Sequence, residues 1–363
     1  MANQYGKNIH LSIYGGSHDT EIGMHLAGFP AGLALDREEL LRFLARRAPN
    51  GGAFSTPRKE PDTPEFLSGL AEGVTDGSEL HARIVNTNAR SSDYSFVYDT
   101  PRPGHADFAA LQKYGSSVDL RGGGHFSGRL TAPLCIAGGM ALQYLAARGI
   151  TVGAHIAAIH GVEDARFDPV TIDKETLERL KQSSFPVLKE TAAEAMQNEI
   201  AMARAAKDSV GGVIECAIVG APMGLGEHMF DGVEGRFASL LFSVPAVKGV
   251  EFGAGFGAAN LFGSENNDPF VTDGKTVRTK TNNAGGILGG MTNGMPLVFR
   301  VAFKPTPSIA REQETVSLSR MENTTLSIGG RHDPTVVVRA VPVVEAAAAL
   351  ALLDLLLDHS PEL

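Results

Sequence analysis

The chain has 363 residues, of which 43% are hydrophobic and 20% are charged, as is typical of a folded globular protein. Its formal net charge of −9 argues against general nucleic-acid binding, because such binding usually needs a basic surface. Cys135 and Cys216 are too few for a disulfide framework or a thiolate metal site, so we expect two buried thiols. The length is compatible with about two domains or with one large domain.

The N-terminal stretch "MANQYGKNIHLSIYGG" lacks the apolar core of a signal peptide, which predicts a cytoplasmic protein. Two apolar segments, "LTAPLCIAGGMALQYLAA" and "VPVVEAAAALALLDLLL", approach the length of a membrane span. The first contains proline and a glycine pair, and the second carries Glu345 and Asp354. Both segments therefore predict buried helices, with no membrane as a partner.

The first elements along the chain are a strand and a capped helix. Apolar and polar residues alternate over residues 9–13, which predicts a half-buried strand ending at Gly15. Asp36 followed by Glu39 is a capping-box pattern, and it predicts a helix that is closed by Pro49.

The remaining elements predict an α+β protein. A second capping pattern, Thr191 with Glu194, predicts a helix that ends before Gly211. We predict strands at "HARIVNT", "GGVIECAIVG", "PLVFRVAF" and "PTVVVRAV". Without a repeating strand–helix–strand order, antiparallel sheets covering apolar helices are the favoured architecture. The polar stretch from residue 263 to residue 283 predicts a long loop, either a lid or binding segment or plain disorder.

Glycine clusters recur beside cationic residues, as in "YGGSH", "RGGGHFSG" and "SIGGRHD". Glycine lets the backbone approach a ligand closely, although a turn or tight helix packing would explain any single cluster. None of the clusters has the context of a dinucleotide fold or the spacing of a P-loop.

Arginines and histidines near these glycines predict a small polyanionic ligand. Guanidinium groups bind carboxylates and phosphates, although surface solvation would explain each arginine alone. The arginines concerned are Arg46, Arg47, Arg58, Arg102, Arg121, Arg129 and Arg331. His18, His105 and His332 could transfer protons near neutral pH. The wide spacing of the histidines predicts no metal site. "KPTPS", from Lys304 to Ser308, could hold a phosphate or be a proline-rich connector.

These motifs together resemble the chorismate synthase family over nearly the whole length. The matching blocks include "GGSH", "RRAP", "TPRKEPD", "RPGHAD", "RGGG", "DSVGG", "AVKGVEFGAGF", "NAGGILGG", "KPTPSI" and "GRHDP". The resemblance implies a β-α-β sandwich, with a central helical layer between two antiparallel sheets. It also implies one domain over residues 1–363 and a homotetramer.

The implied reaction is the anti-1,4-elimination of phosphate from 5-enolpyruvylshikimate-3-phosphate, which gives chorismate in the shikimate pathway and requires reduced FMN. By resemblance, His18 lies near the leaving phosphate, His105 protonates or hydrogen-bonds the flavin, and Asp333 assists proton removal near flavin N5. The anion-binding positions are Arg47, Arg102, Arg129 and Arg331. The cofactor-binding positions are His125, Phe126, Ser127, Pro245, Ala246, Gly289, Lys304, Pro305, Thr306, Pro307, Ser308 and Arg331.

The chain departs from the family pattern at several of these positions. The family's "GESHG" is "GSHD" here, and its "GGGRSSARET" is "GGGHFSGRLT", with His125, Phe126 and Leu130 replacing arginine, serine and glutamate. Ala53 replaces an arginine, and Pro245 replaces a polar residue. Histidine is mostly neutral at pH 7 and lacks the guanidinium fork. Two alternatives follow: a flavin- or anion-binding relative without catalysis, or a lyase of the same fold for a related phosphate ester.

Overall fold

The computed structural model describes residues 4–49, 62–86, 96–329 and 332–358. Within these ranges, two five-stranded antiparallel sheets form the outer layers of the protein. The first sheet has the order β1-β2-β3-β7-β4. Its strands are β1 (Gln4–Tyr5), β2 (His10–Gly15), β3 (Glu21–Ala27), β4 (Glu65–Ser68) and β7 (Leu80–Val85). The second sheet has the order β11-β16-β10-β8-β9. Its strands are β8 (Thr151–Ile159), β9 (Val162–Glu163), β10 (Gly212–Val219), β11 (Val247–Phe252) and β16 (Leu297–Phe303).

The other described strands pair into small hairpins. They are β5 (Leu70–Ala71) with β6 (Val74–Thr75), β12 (Phe270–Thr272) with β13 (Val277–Thr279), β14 (Ile287–Leu288) with β15 (Met291–Thr292), and β17 (Gln313–Ser317) with β18 (Glu322–Leu326). The described helices are α1 (Arg37–Arg47), α2 (Asp107–Tyr114), α3 (Thr131–Ala146), α4 (Lys174–Lys181), α5 (Glu190–Ala205), α6 (Val233–Ser243), α7 (Gly263–Asn266) and α8 (Val337–Asp358).

Helices α3 and α8 form the centre of the helical layer. Helix α3 packs against β2, β3 and β7 of the first sheet, whereas α8 packs against β8 and β10 of the second. The two helices also pack against each other, and a Cβ atom added to Gly138 would lie 2.3 Å from Cβ of Ala346. Glycine therefore permits this close approach of the two backbones. The predicted sandwich is confirmed.

Two acidic side chains buried in α8 have partners inside the protein. Glu345 accepts hydrogen bonds from Arg46, at 2.5 and 3.0 Å, and from the backbone N–H of Ala154. Asp354 accepts from the backbone N–H groups of residues 7–9 and pairs with Arg236 at 2.7 Å. By length and composition α8 could cross a membrane, but 89% of its apolar window is buried inside the protein. Its prediction as a buried core helix is confirmed.

Most of the local predictions are confirmed. The predicted first strand is β2, and α1 begins after Asp36, whose side chain accepts from the backbone N–H of Glu39 at 2.9 Å. Both cysteines are free and buried, and burial raises the pKa of Cys135 to about 12. The predicted cap at Thr191 is wrong: α5 begins one residue earlier, and its N-cap, Lys189, makes no side-chain capping bond.

Two further predictions are wrong for physical reasons. The "PTVVVRAV" stretch is not a strand, because α8 begins at Val337, within it. Its β-branched residues continue into a long apolar run, and burial of the whole helix outweighs their local strand preference. The stretch from 263 to 283 is not an irregular loop either, since it contains α7 and the hairpin of β12 and β13.

Candidate active site

A cavity of about 580 Å³ opens between the helical layer and the loops at its edge. Its volume lies in the range of small-molecule sites. The wall residues that the resemblance singles out are Arg47, Arg102, His105, His125, Phe126, Ser127, Arg129, Pro245, Ala246, Lys304, Thr306, Pro307, Ser308 and Asp333. Residues from widely separated parts of the chain therefore converge on one space.

The three consecutive glycines of "RGGGH" lie at the edge of the cavity, and the first of them, Gly122, lines it. Gly122, Gly123 and Gly124 all have positive φ, between 52° and 91°, which residues with side chains adopt rarely. A Cβ atom on Gly122 would lie 2.1 Å from the ring of His18, and one on Gly123 would lie 3.3 Å from Nε2 of His105. The glycines are needed here because the backbone passes directly against two imidazoles.

Asp107, at the first residue of α2, fixes the orientation of His105 and Arg102. Its fully buried carboxylate accepts from Nδ1 of His105 at 2.7 Å and from Nε and Nη2 of Arg102 at 2.7 Å. Burial alone would raise the pKa of Asp107, but the hydrogen bonds from Arg102 and His105 hold that pKa well below its usual range. Nδ1 of His105 also lies 3.1 Å from Nη2 of Arg102, but the contact with the carboxylate is shorter and favours the tautomer with the proton on Nδ1. In that tautomer Nε2 is the ring nitrogen left to exchange a proton.

Arg47 and Arg129 contribute two guanidinium groups to the wall. They come from distant parts of the sequence, since Arg47 ends α1 and Arg129 lies just before α3. Both donate to the buried carboxylate of Asp62, one to each oxygen. Nε of Arg129 also donates to the side-chain oxygen of Asn86 at 3.2 Å. The two cations are thus held on either side of one anion.

Asp333 lines the cavity just before α8 and is held by Arg339, which lies on that helix. Nη1 of Arg339 donates to Oδ2 of Asp333 at 2.5 Å, and its Nε donates to the backbone carbonyl of Arg47 at 2.9 Å. This guanidinium therefore connects the acidic group of the site to the end of α1.

Lysines and apolar side chains also line the cavity. Lys248 and Lys304 both line the cavity; burial and then the charge of Lys248 lower the pKa of Lys304. Oγ1 of Thr306 is buried and has no hydrogen-bond partner among the described residues. Phe126 and Phe242 supply apolar surface beside these groups. These side chains therefore suit a ligand with an anionic end and a planar apolar body.

Not every predicted site residue lines the cavity. His18 is buried against Gly122, next to the wall residue Ser17. Pro305 is exposed beside the wall, and Gly289 lies in the exposed turn between β14 and β15. The assignments of these residues to catalysis or cofactor binding stay predictions. The predicted residues that fall outside the described ranges are Arg331, Arg58 and Ala53.

Two of the candidate arginines bind protein carboxylates elsewhere. Arg46 pairs with Glu345 in the core, and Arg121 pairs with Asp119 at 2.7 Å near the surface. Neither lines the cavity. Across the part of the chain that the structure describes, no cluster of three histidine, cysteine or acidic side chains could hold a metal ion.

Three residues of the site were missed because their types are common and their partners are distant in sequence. Lys248, Asp62 and Arg339 all lie in blocks that resemble the family, "AVKGVEF", "TPRKEPD" and "RAVPVVEA". Their position inside these blocks was the one available signal. The contacts themselves, such as that between Asp62 and Arg129, span 67 residues and are visible only in the folded chain.

Comparisons with known proteins extend this likeness to the whole chain. A family model described as "Chorismate synthase" matches residues 9–357. The chorismate synthase of Lancefieldella parvula is 47% identical over all of this chain and 98% of its own length. That of Thermococcus kodakarensis is 48% identical over 97% of each chain. A solved structure described as "Crystal Structure of Chorismate Synthase" has a TM-score of 0.75 at 29% identity, covering 97% of this chain and 93% of that one.

Proposed function

This chain belongs to the chorismate synthase family of carbon–oxygen lyases, and we propose that it converts 5-enolpyruvylshikimate-3-phosphate to chorismate with reduced FMN. One observation carries the proposal: arginines, lysines, imidazoles and a carboxylate converge on a single cavity. The substrate has two carboxylates and a phosphate, so its charges match the cationic wall. In the reaction a C–O bond to phosphate and a ring C–H bond break, which leaves chorismate and inorganic phosphate.

The residues of the cavity fit a flavin mononucleotide. Thr306 offers a buried hydroxyl that lacks a partner among the described residues, and Lys304 and Lys248 offer charge for a phosphate. Phe126 and Phe242 offer an apolar surface for a planar ring system. When bound, reduced FMN supplies the electron density that stabilises charge developing on the substrate ring.

We assign the substrate's anionic groups to Arg47, Arg102 and Arg129. A departing phosphate carries growing negative charge, and preorganised guanidinium groups stabilise such charge without reorganising. Arg102 is preorganised by Asp107, and the other two arginines are preorganised by Asp62. The arginines therefore bind the substrate and lower the barrier to loss of phosphate.

We assign proton handling to two histidines and one carboxylate. His105 can donate or accept a proton at Nε2, because Asp107 favours a proton on the other nitrogen. Asp333, held by Arg339, is a carboxylate suited to assist removal of the ring proton. His18, beside the wall residues Ser17 and Gly122, is the candidate acid for the leaving phosphate.

A second candidate function is ligand binding without turnover. It is favoured by the departures from the family pattern, because His125 and Phe126 lie in the cavity wall itself. Nδ1 of His125 lies 2.8 Å from the backbone carbonyl of Gly15, so this nitrogen carries a proton and donates it. An imidazole bound in this way lacks the planar fork of donors that an arginine would present.

We also propose that the chain acts in the cytoplasm as a homotetramer. Several large apolar side chains are exposed between residues 256 and 291, among them Phe256, Phe262, Phe270 and Met291. Phe256 is 87% exposed and Phe262 is 79% exposed. Contiguous exposed apolar patches are typical of association surfaces, so these side chains are candidates for contacts between subunits. Sedimentation equilibrium would test the proposal: a tetramer supports it, and a monomer at micromolar concentration contradicts it.

An anaerobic assay with reduced FMN tests the proposed reaction. We expect chorismate and phosphate to form in equal amounts from 5-enolpyruvylshikimate-3-phosphate. If calorimetry shows that the substrate and reduced FMN bind but no product forms, the binding-only function is correct. If a panel of related phosphate esters contains a better substrate, the chain is a lyase of the same fold with a different substrate.

A further inference from the structure

A series of ion pairs, joined at one point by a hydrogen bond to a backbone carbonyl, connects charged residues along the cavity wall. It begins at Arg129, passes through Asp62 to Arg47, and continues through Arg339 to Asp333. Arg129, Arg47 and Asp333 are the groups to which the proposed function gives roles. Asp62 is outside the cavity wall, and its side chain is only 1% exposed.

The position of Asp62 has a clear electrostatic consequence. Two buried guanidinium groups would repel each other and lose hydration, which costs several kcal/mol unless an anion compensates them. Asp62 supplies such an anion to both guanidinium groups at once. It also binds Nη1 of each arginine, which restrains the position and the plane of each guanidinium at the cavity wall.

Arg339 has a corresponding effect on Asp333. Its Nη1 is bonded to the carboxylate and its Nε to the carbonyl of Arg47, so the planar guanidinium fixes the carboxylate relative to the end of α1. Lysine has a single ammonium group and could keep the pairing with Asp333 but not both bonds in this geometry. The end of α1 and the start of α8 are thereby connected at the cavity.

Resting on the proposed function, we propose that Asp62 and Arg339 are positioning residues for the elimination. Asp62 acts through Arg47 and Arg129 and controls substrate affinity. Arg339 acts through Asp333 and controls the rate of the chemical step. The two residues therefore affect different kinetic constants, which a merely structural role would not produce.

Calorimetry with 5-enolpyruvylshikimate-3-phosphate, without flavin, tests the first part. We expect Asp62→Asn to weaken binding by about tenfold or more, since an uncharged amide cannot hold both arginines. Asp62→Glu retains the charge and should bind more tightly than Asp62→Asn. In an Arg47→Ala background the effect of Asp62→Asn should shrink, because one of the two arginines through which it acts is gone.

Steady-state kinetics with reduced FMN tests the second part. We expect Arg339→Met to lower kcat by about 10² or more and to change the dissociation constant of the substrate little. Arg339→Lys should recover part of kcat. Glu345→Gln is the matched control: it removes a buried charge that pairs with Arg46 outside the cavity, so it should lower Tm and leave substrate affinity unchanged.

The results that would overturn the inference are distinct from those that would overturn the function. Unchanged substrate affinity in Asp62→Asn and in Asp62→Glu contradicts the role of Asp62. The role of Arg339 is contradicted if Arg339→Met and Arg339→Lys lose the same amount of kcat and if this loss follows their loss of Tm. Wild-type protein that binds substrate but forms no chorismate overturns the proposed function and the role of Arg339 in it. In that case the substrate affinities of Asp62→Asn and Asp62→Glu, measured by calorimetry, would still decide the role of Asp62.

Discussion

Replacing Asp107 with asparagine tests how the site is held together. The side chain is fully buried and accepts three hydrogen bonds of 2.7 Å from Arg102 and His105. An amide keeps one acceptor oxygen but turns an NH₂ group toward these donors, which leaves the guanidinium without its counter-ion. Breaking a buried ion pair in this way costs about 3–5 kcal/mol. Turnover should also fall by about 10² or more, because His105 loses its orientation.

The stability loss should depend on pH with a definite sign. Although burial would raise it, the pKa of Asp107 is lowered in the folded protein by Arg102 and His105. The stabilisation is therefore complete above the unfolded pKa of about 3.9 and is lost as the pH falls through the folded value. Urea unfolding at pH 7 should show the whole difference between wild type and Asp107→Asn, and unfolding in strong acid should show less.

Asp208→Asn is the matched control for this experiment. Asp208 pairs with Arg311 at 3.2 Å, and the two side chains are 35% and 67% exposed. Solvent-exposed ion pairs contribute less than about 1 kcal/mol, so this variant should unfold almost like the wild type. An Asp107→Asn variant within 1 kcal/mol of wild type at pH 7 would refute the electrostatic reasoning.

Two further predictions concern stability. His155 lies buried between Asp164 and Glu215, at 3.1 and 2.9 Å, and although burial lowers its pKa, the two carboxylates raise that pKa overall. The stabilisation is therefore complete below the unfolded pKa of about 6.5 and is lost as the pH rises through the folded value. Urea unfolding of His155→Gln should show a loss of about 3–5 kcal/mol at pH 6 that shrinks at higher pH, and a pH-independent loss would contradict this. Gly138→Ala should cost about 1–3 kcal/mol, because its Cβ would clash with α8. Gly263→Ala, in open space, should change stability by less than about 0.5 kcal/mol, and equal Tm values for the two variants would contradict the packing argument.

Local chemistry made much of the fold predictable. Alternating residues specify β2, and the side chain of Asp36 specifies the start of α1, because these signals act within a few residues. The strand predicted within "PTVVVRAV" failed since the start of α8 is decided by distant packing partners. A local sequence pattern predicts the structure of a segment correctly when the residues that pack around the segment favour the same structure.

Prediction from local sequence is limited in the same way at the candidate site. Arg46 and Arg47 are adjacent in sequence, yet Arg46 pairs with Glu345 in the core while Arg47 lines the cavity. Successive residues of a helix point about 100° apart, so neighbours reach different surroundings. The resemblance to a family identified Arg47 but could not reveal the partner carboxylate of either arginine. That information exists only in contacts between distant parts of the chain.

A crystal structure with reduced FMN and 5-enolpyruvylshikimate-3-phosphate tests the central claim most directly. We expect both molecules in the same 580 Å³ cavity, with the substrate's anionic groups bonded to Arg47 and Arg129 and with His105 and Asp333 beside the reacting atoms. Electron density for either molecule in another part of the protein, with no contact to these four residues, would contradict it.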